Sequence, residues 1–176
     1  MKNSKDTKGE MKSYITYYDQ MPIPAVKENT EIYLAGNIAI GVQFRVLTDE
    51  AIVDLELKTA SGGERGKVTE LDDQGVALHV FIVDGSEMTE CLRFDCFDDD
   101  PHYHFVNWRE MRNEMIHLDP VAHGDGLTWA LKTIKERLPQ MIDRALGAEA
   151  DTKIDLVAVE RILPLVTEAA FRARFQ

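Results

Sequence analysis

Between positions 37 and 46 the apolar residues fall on every second position. Ile38, Ile40, Val42, Phe44 and Val46 alternate with Ala39, Gly41, Gln43 and Arg45. A period of two marks a strand with one buried face. Three more β-rich runs lie at 75–83, 89–97 and 102–108. The turn formers Asp84-Gly85-Ser86 and Asp98-Asp99-Asp100-Pro101 separate them. Connections this short join antiparallel neighbours, so the runs predict a meander. Shorter β segments are expected at 13–18, 31–34 and 114–118. Residues 51–58 fit a strand, with Val53, Leu55 and Leu57 alternating, or a helix capped by Thr48. The strand is the preferred reading. The proline-bearing stretch 21–30 and the Gly- and charge-rich stretch 61–74 read as loops.

After residue 124 the period changes. Leu127, Leu131, Ile134, Leu138, Met141 and Ile142 recur at helical spacing, with Asp125 placed to cap the start and Gly147 to stop it. A second helix is predicted over 155–172 on the stripe Leu156, Val159, Leu163, Val166 and Ala170. Pro139 and Pro164 are expected to kink or interrupt these helices, since proline supplies no N–H to the ladder. Strands followed by helices give an α+β fold: an antiparallel β-meander with the C-terminal helices on one face. Residues 1–12 are polar and read as a flexible tail, leaving 13–176 as one domain.

Strand parity assigns faces. Leu92, Phe94 and Cys96 share one face, which Tyr103, Phe105, Leu78, Val80 and Ile82 join under the helices. Cys91, Arg93 and Asp95 take the other, with His79, Phe81, His102 and His104. A four-residue loop over 98–101 predicts the pairs Phe97–His102, Asp95–His104 and Arg93–Val106. A slip of one residue would bury the charged set, so the pattern supports this pairing.

The chain has 176 residues, 31 acidic against 20 basic, for a net charge of −11. Residues 71–100 hold nine acidic residues and one basic, so the acidity forms a rim at the ends of the hairpins. Such a balance argues against nucleic-acid and anionic-membrane partners, because phosphates reward Lys and Arg. No apolar run is long enough to span a bilayer, and the first residues lack a signal-peptide core. Cys91 and Cys96 would sit about 16 Å apart on one strand, too far to bridge. Unpaired thiols without an export signal point to the cytoplasm.

Asp95, His102 and His104 have the donor types and shared face that a divalent transition metal needs. A carboxylate beside imidazole also suits proton transfer. The plainer reading is an Asp–His cross-strand pair on a solvated face, and it is the favoured one. Two His-x-Asp pairs, at 117–119 and 123–125, have duller explanations: Asp119 starts a turn before proline, and Asp125 caps a helix. The Asp98–Asp100 triplet lacks the spacing of a calcium loop. Cys91 shares a face with Arg93 and is a conceivable nucleophile, but no nucleophile, phosphate-loop or dinucleotide motif is present. Trp108 and Trp129 read as packing residues.

The runs Arg93-Phe94-Asp95-Cys96-Phe97 and Pro101-His102-Tyr103-His104-Phe105 resemble a family of uncharacterised bacterial proteins with an "LRFDCF…PHYHY" hairpin. Similarity extends through Leu118-Asp119-Pro120-Val121-Ala122, Gly124-Asp125, Trp129 and Arg137-Leu138-Pro139-Gln140-Met141, covering 75–147. Phe105 stands where tyrosine is expected. The resemblance implies a bacterial or phage-borne cytosolic protein and no particular reaction. The layout is more distantly similar to small toxin–antitoxin proteins with a His-rich strand.

Two functions follow. The first is a non-enzymatic binding or accessory module without cofactor. It would use an open polar face of His79, Arg93, Asp95, His102 and His104 to engage a protein partner or a second copy. The second is a metal-dependent hydrolase or nuclease-like enzyme. Asp95, His102 and His104 would be its ligands, with Arg93 steadying an anionic substrate.

Overall fold

The alternating segments build one seven-stranded antiparallel sheet in the computed structural model, which describes residues 16–18, 21–48, 72–147 and 153–175. The strands are β1 (Thr16–Tyr18), β2 (Glu31–Ala35), β3 (Ile38–Thr48), β4 (Asp72–Asp84), β5 (Glu87–Phe97), β6 (His102–Asn107) and β7 (Arg112–His117). Strands β2 to β7 run as the expected meander, and β1 pairs with β7 at the far edge. The helices follow: a short α1 (Pro120–His123), α2 (Gly126–Leu146) and α3 (Leu156–Arg174). The expected tail at 1–12 and the ambiguous segment 51–58 lie outside the described residues.

Both long helices pack on one face of the sheet, α2 over β5 and β6, α3 over β2 and β3. The core they close contains Ile38, Ile40 and Val42, then Leu78, Val80, Leu92, Phe94 and Phe105, against Leu127, Ile134, Leu138 and Val166. Of these, Leu78, Val80, Leu92, Phe94 and Phe105 are residues that parity assigned to the helix side, whereas Phe44 and Val46, which continue the alternation of Ile38 to Val42, stay exposed. Trp129 packs on Phe94 and Tyr103, as expected of a packing residue. Asp125 and Asp155 cap α2 and α3, accepting from Thr128 N (2.8 Å) and Ala158 N (3.0 Å). Both helices continue through Pro139 and Pro164 as single elements. Each proline removes one ladder bond, while buried residues on either side (Leu138 and Ile142, Leu163 and Val166) pin the helix to the sheet.

Three expectations are corrected. β4 begins at Asp72 rather than Gly75, because Thr48 to Arg45 extend the ladder opposite Asp72 to Gly75. The β5–β6 register is shifted by two: Asp95 pairs with His102, and Arg93 with His104. The acidic turn is longer than a four-residue loop because Phe97 pairs with Gly75 on β4, and Asp98 N–H donates to Gln74 O (2.9 Å). Asp73 fixes it there, accepting from Asp99 N (3.1 Å) and Asp100 N (3.0 Å). The third correction is the face of Cys91, expected beside Arg93: β4 and β5 change register between Val80 and Phe81, Val80 pairing with Leu92 but Phe81 with Glu90, and the β-bulge leaves Cys91 as the extra residue, in the core.

Candidate functional site

The sheet's second face gathers the polar residues that parity grouped, but it is not open. His79 is 0% exposed, Arg93 2%, Asp95 3% and His104 7%. His102, at 11% side-chain exposure, lies nearest the surface. Two features accompany this burial. The segment 21–30 crosses the sheet at β3, where Val26 N–H donates to Gln43 Oε1 (3.3 Å). The charged groups also pair with one another, so they need not reach water.

The bulge decides one set of pairs. In an unbroken strand Glu90 would share the helix face with Leu92. The extra residue turns Glu90 to the second face and lays Cys91 into the core, its Sγ 3.5 Å from Val80 O. Glu90 then receives His79 Nδ1 (2.6 Å) and the Arg93 fork, Nε at 2.9 Å and NH2 at 2.6 Å. His79 Nε2 is left buried without a hydrogen-bond partner among the described residues. Cys91 is no nucleophile here, since burial and then the Glu90 charge push its thiol far above the ordinary value.

The second set is Asp95, His102 and His104, whose ligand atoms all lie within 4.8 Å of one another. His102 Nε2 and His104 Nε2 each stand 3.4 Å from Asp95 Oδ2. The opposite ring nitrogens are committed: His102 Nδ1–H donates to the Asp100 carbonyl (2.6 Å), and His104 Nδ1–H to Asn113 Oδ1 (2.8 Å). Both acceptors are oxygens without a proton, which fixes the tautomer and turns both Nε2 positions toward Asp95. Two donor nitrogens and a carboxylate oxygen facing each other can share a cation, whether a proton or a metal ion. The two imidazoles differ in their hold on a proton. Burial opposes charge on His102, though the Asp95 hydrogen bond and charge raise its pKa. Burial lowers that of His104 despite the same carboxylate. Burial would raise Asp95, but the two imidazole bonds and the Arg93 charge hold it well below the usual range, so it stays an anion.

Arg45 reaches Asp95 from β3, its NH1 3.9 Å from Oδ1. The site residues that sequence reasoning passed over are thus Glu90, Arg45 and Asn113. Extending parity to β3 finds Arg45, since it alternates with Phe44 and Val46. No local pattern marks Glu90, whose face depends on the bulge.

The remaining candidates behave as packing and capping residues. Asp119 caps α1 through Val121 N (2.9 Å), and Asp125 caps α2. His117 pairs with Asp100 (2.7 Å) at the exposed rim, and His123 packs against Trp129. Trp108 lines an apolar cleft of about 490 Å³ beside Glu90. Among the described residues no helix is long and apolar enough to cross a membrane.

Residues 32–170 match a family model described as Domain of unknown function (DUF7700). The match agrees with the reading of an uncharacterised family and extends beyond 75–147 to take in β3 and most of α3. No curated protein and no solved structure matches the chain.

Proposed function

We propose, for a chain that belongs to the DUF7700 family, that Asp95, His102 and His104 hold a divalent transition-metal ion and that the protein is a metal-dependent hydrolase. One observation carries this reading: both histidines are locked by acceptors behind them, with Nε2 3.4 Å from the same carboxylate oxygen. Ligands at about 2.1 Å in tetrahedral array lie about 3.4 Å apart, so the spacing suits an ion shared between them. Two imidazoles and one carboxylate fit Zn, Fe, Mn or Ni. Three protein ligands leave a position for water, which such an ion acidifies into a nucleophile. That chemistry suits a face without a competent serine or cysteine among the described residues.

The partner-binding reading depended on an open face. With His79, Arg93, Asp95 and His104 buried, the residues it relied on face each other instead. Elemental analysis of untagged protein tests the metal reading: about one transition-metal ion per chain is expected, with loss in Asp95→Ala. Metal-loaded protein should hydrolyse an activated ester and stop on chelation. No stoichiometric metal, and no thermal shift on adding Zn, Mn, Fe or Ni, sinks it.

A further inference from the structure

We infer that this site takes a phosphate-type oxyanion and that Arg45, not Arg93, is the residue that grips it. The inference rests on the metal reading above. From sequence alone Arg93 is the natural anion-binding residue, yet both prongs of its guanidinium are closed on Glu90, at 2.9 and 2.6 Å. Arg93 therefore has its charge neutralised and its fork occupied.

Arg45 has no such closed fork. It is 6% exposed, and its one ion-pair contact among the described residues is Asp95 Oδ1 at 3.9 Å, beyond hydrogen-bond reach. Asp95 Oδ1 is itself buried without a hydrogen-bond partner among the described residues. A cationic fork and a carboxylate oxygen thus face each other unjoined, beside the oxygen that the two histidines approach. The strand between them presents only Gly75 and Ala77 there, paired with Arg45 and Asp95 respectively, so no larger side chain from β4 intervenes.

Charge selects the ligand class. Arg93 cancels Glu90 and Arg45 cancels Asp95, and imidazoles that ligate an ion through Nε2 carry no proton there, so the buried face is otherwise neutral. A divalent ion then leaves it two positive charges in excess, which a buried site tolerates poorly. A phosphate-type dianion cancels both; a carboxylate cancels one, and a neutral ester none. A guanidinium fork also matches two phosphate oxygens.

Titration calorimetry of inorganic phosphate into wild-type protein, metal-free and loaded with one Mn2+ or Zn2+ per chain, tests this. Phosphate should bind only the loaded protein. Arg45→Gln should keep its metal and weaken phosphate binding by about tenfold or more, with part of the loss recovered in Arg45→Lys. Should the glutamine variant not fold, the lysine variant and the wild-type comparison still decide the matter. Loaded wild type that ignores phosphate, or Arg45→Gln that binds it as tightly, overturns the inference while the metal reading stands. Wild-type protein that takes up no metal overturns both, and metal analysis before the titration identifies that case.

Discussion

Glu90 and Arg93 stand three residues apart on one strand, yet their side chains meet on the same face in a buried two-pronged ion pair, at 2.9 and 2.6 Å. A regular strand puts such residues on opposite faces. The bulge at Cys91 reverses that parity, and His79 completes the cluster from the neighbouring strand. An acid that local pattern assigns to the apolar core becomes the counter-charge of a buried arginine.

Removing one partner of this pair should therefore cost far more than replacing both. Arg93→Met leaves the Glu90 carboxylate buried without its cation and should destabilise the fold by about 3–5 kcal/mol. Glu90→Leu combined with Arg93→Met should recover a large part of that loss. Urea unfolding of the single and double variants checks it. Equal losses in both would show that the pair is not coupled.

Acid should weaken the protein in a window set by the same cluster. Burial would raise the Glu90 pKa, but the Arg93 charge and the His79 hydrogen bond hold it at about 2, against an ordinary 4.5. The unfolded chain therefore takes up the proton first. Stability from Glu90 is complete above about 4.5 and drains away as pH falls toward about 2. His79, lowered by burial from 6.5, adds a loss of the same sign below that pH. Urea midpoints followed from pH 7 to 3 should fall, with a shallower slope below 4.5 in Glu90→Gln. An unchanged slope would remove Glu90 as the cause.

If Asp95, His102 and His104 hold the proposed ion, Asn113 should tune the site without touching it. Its Oδ1 accepts from His104 Nδ1 (2.8 Å) and so sets the ring's tautomer and direction. Asn113→Ala is expected to weaken metal affinity by about 10–100-fold. Competition with a chromogenic chelator measures this, and an unchanged affinity would refute the orienting role.

Asp125 links the start of α2 to the end of α3. It accepts from Thr128 N (2.8 Å) and pairs with Arg174 NH2 (2.6 Å). Asp125→Ala should cost about 1–2 kcal/mol, the cap supplying most of it because the ion pair is partly exposed. Asp125→Asn keeps a capping oxygen and should cost less than about 1 kcal/mol. Denaturant titration separates the two contributions.

The sequence by itself determined what local backbone geometry controls. Period-two alternation assigned Leu92, Phe94 and Phe105 to the helix side and grouped Asp95, His102 and His104 opposite them. Short turns made the strands antiparallel, and Asp125 and Asp155 marked the helix starts. The grouping survives a pairing misread by two residues, because a shift of two leaves every side chain on its own face. Only the tertiary structure decided which residues meet. The true register depends on Phe97 pairing with β4 and on Asp73 holding the acidic turn, contacts more than twenty residues apart in sequence. The bulge that turns Glu90 inward likewise belongs to the fit of β4 against β5, and no short window of residues encodes it. The same holds for the burial of the polar face, which closes the Arg93 fork on Glu90 and leaves Arg45 facing Asp95. Parity is a property of one strand, whereas pairing, burial and charge compensation are properties of strands packed together.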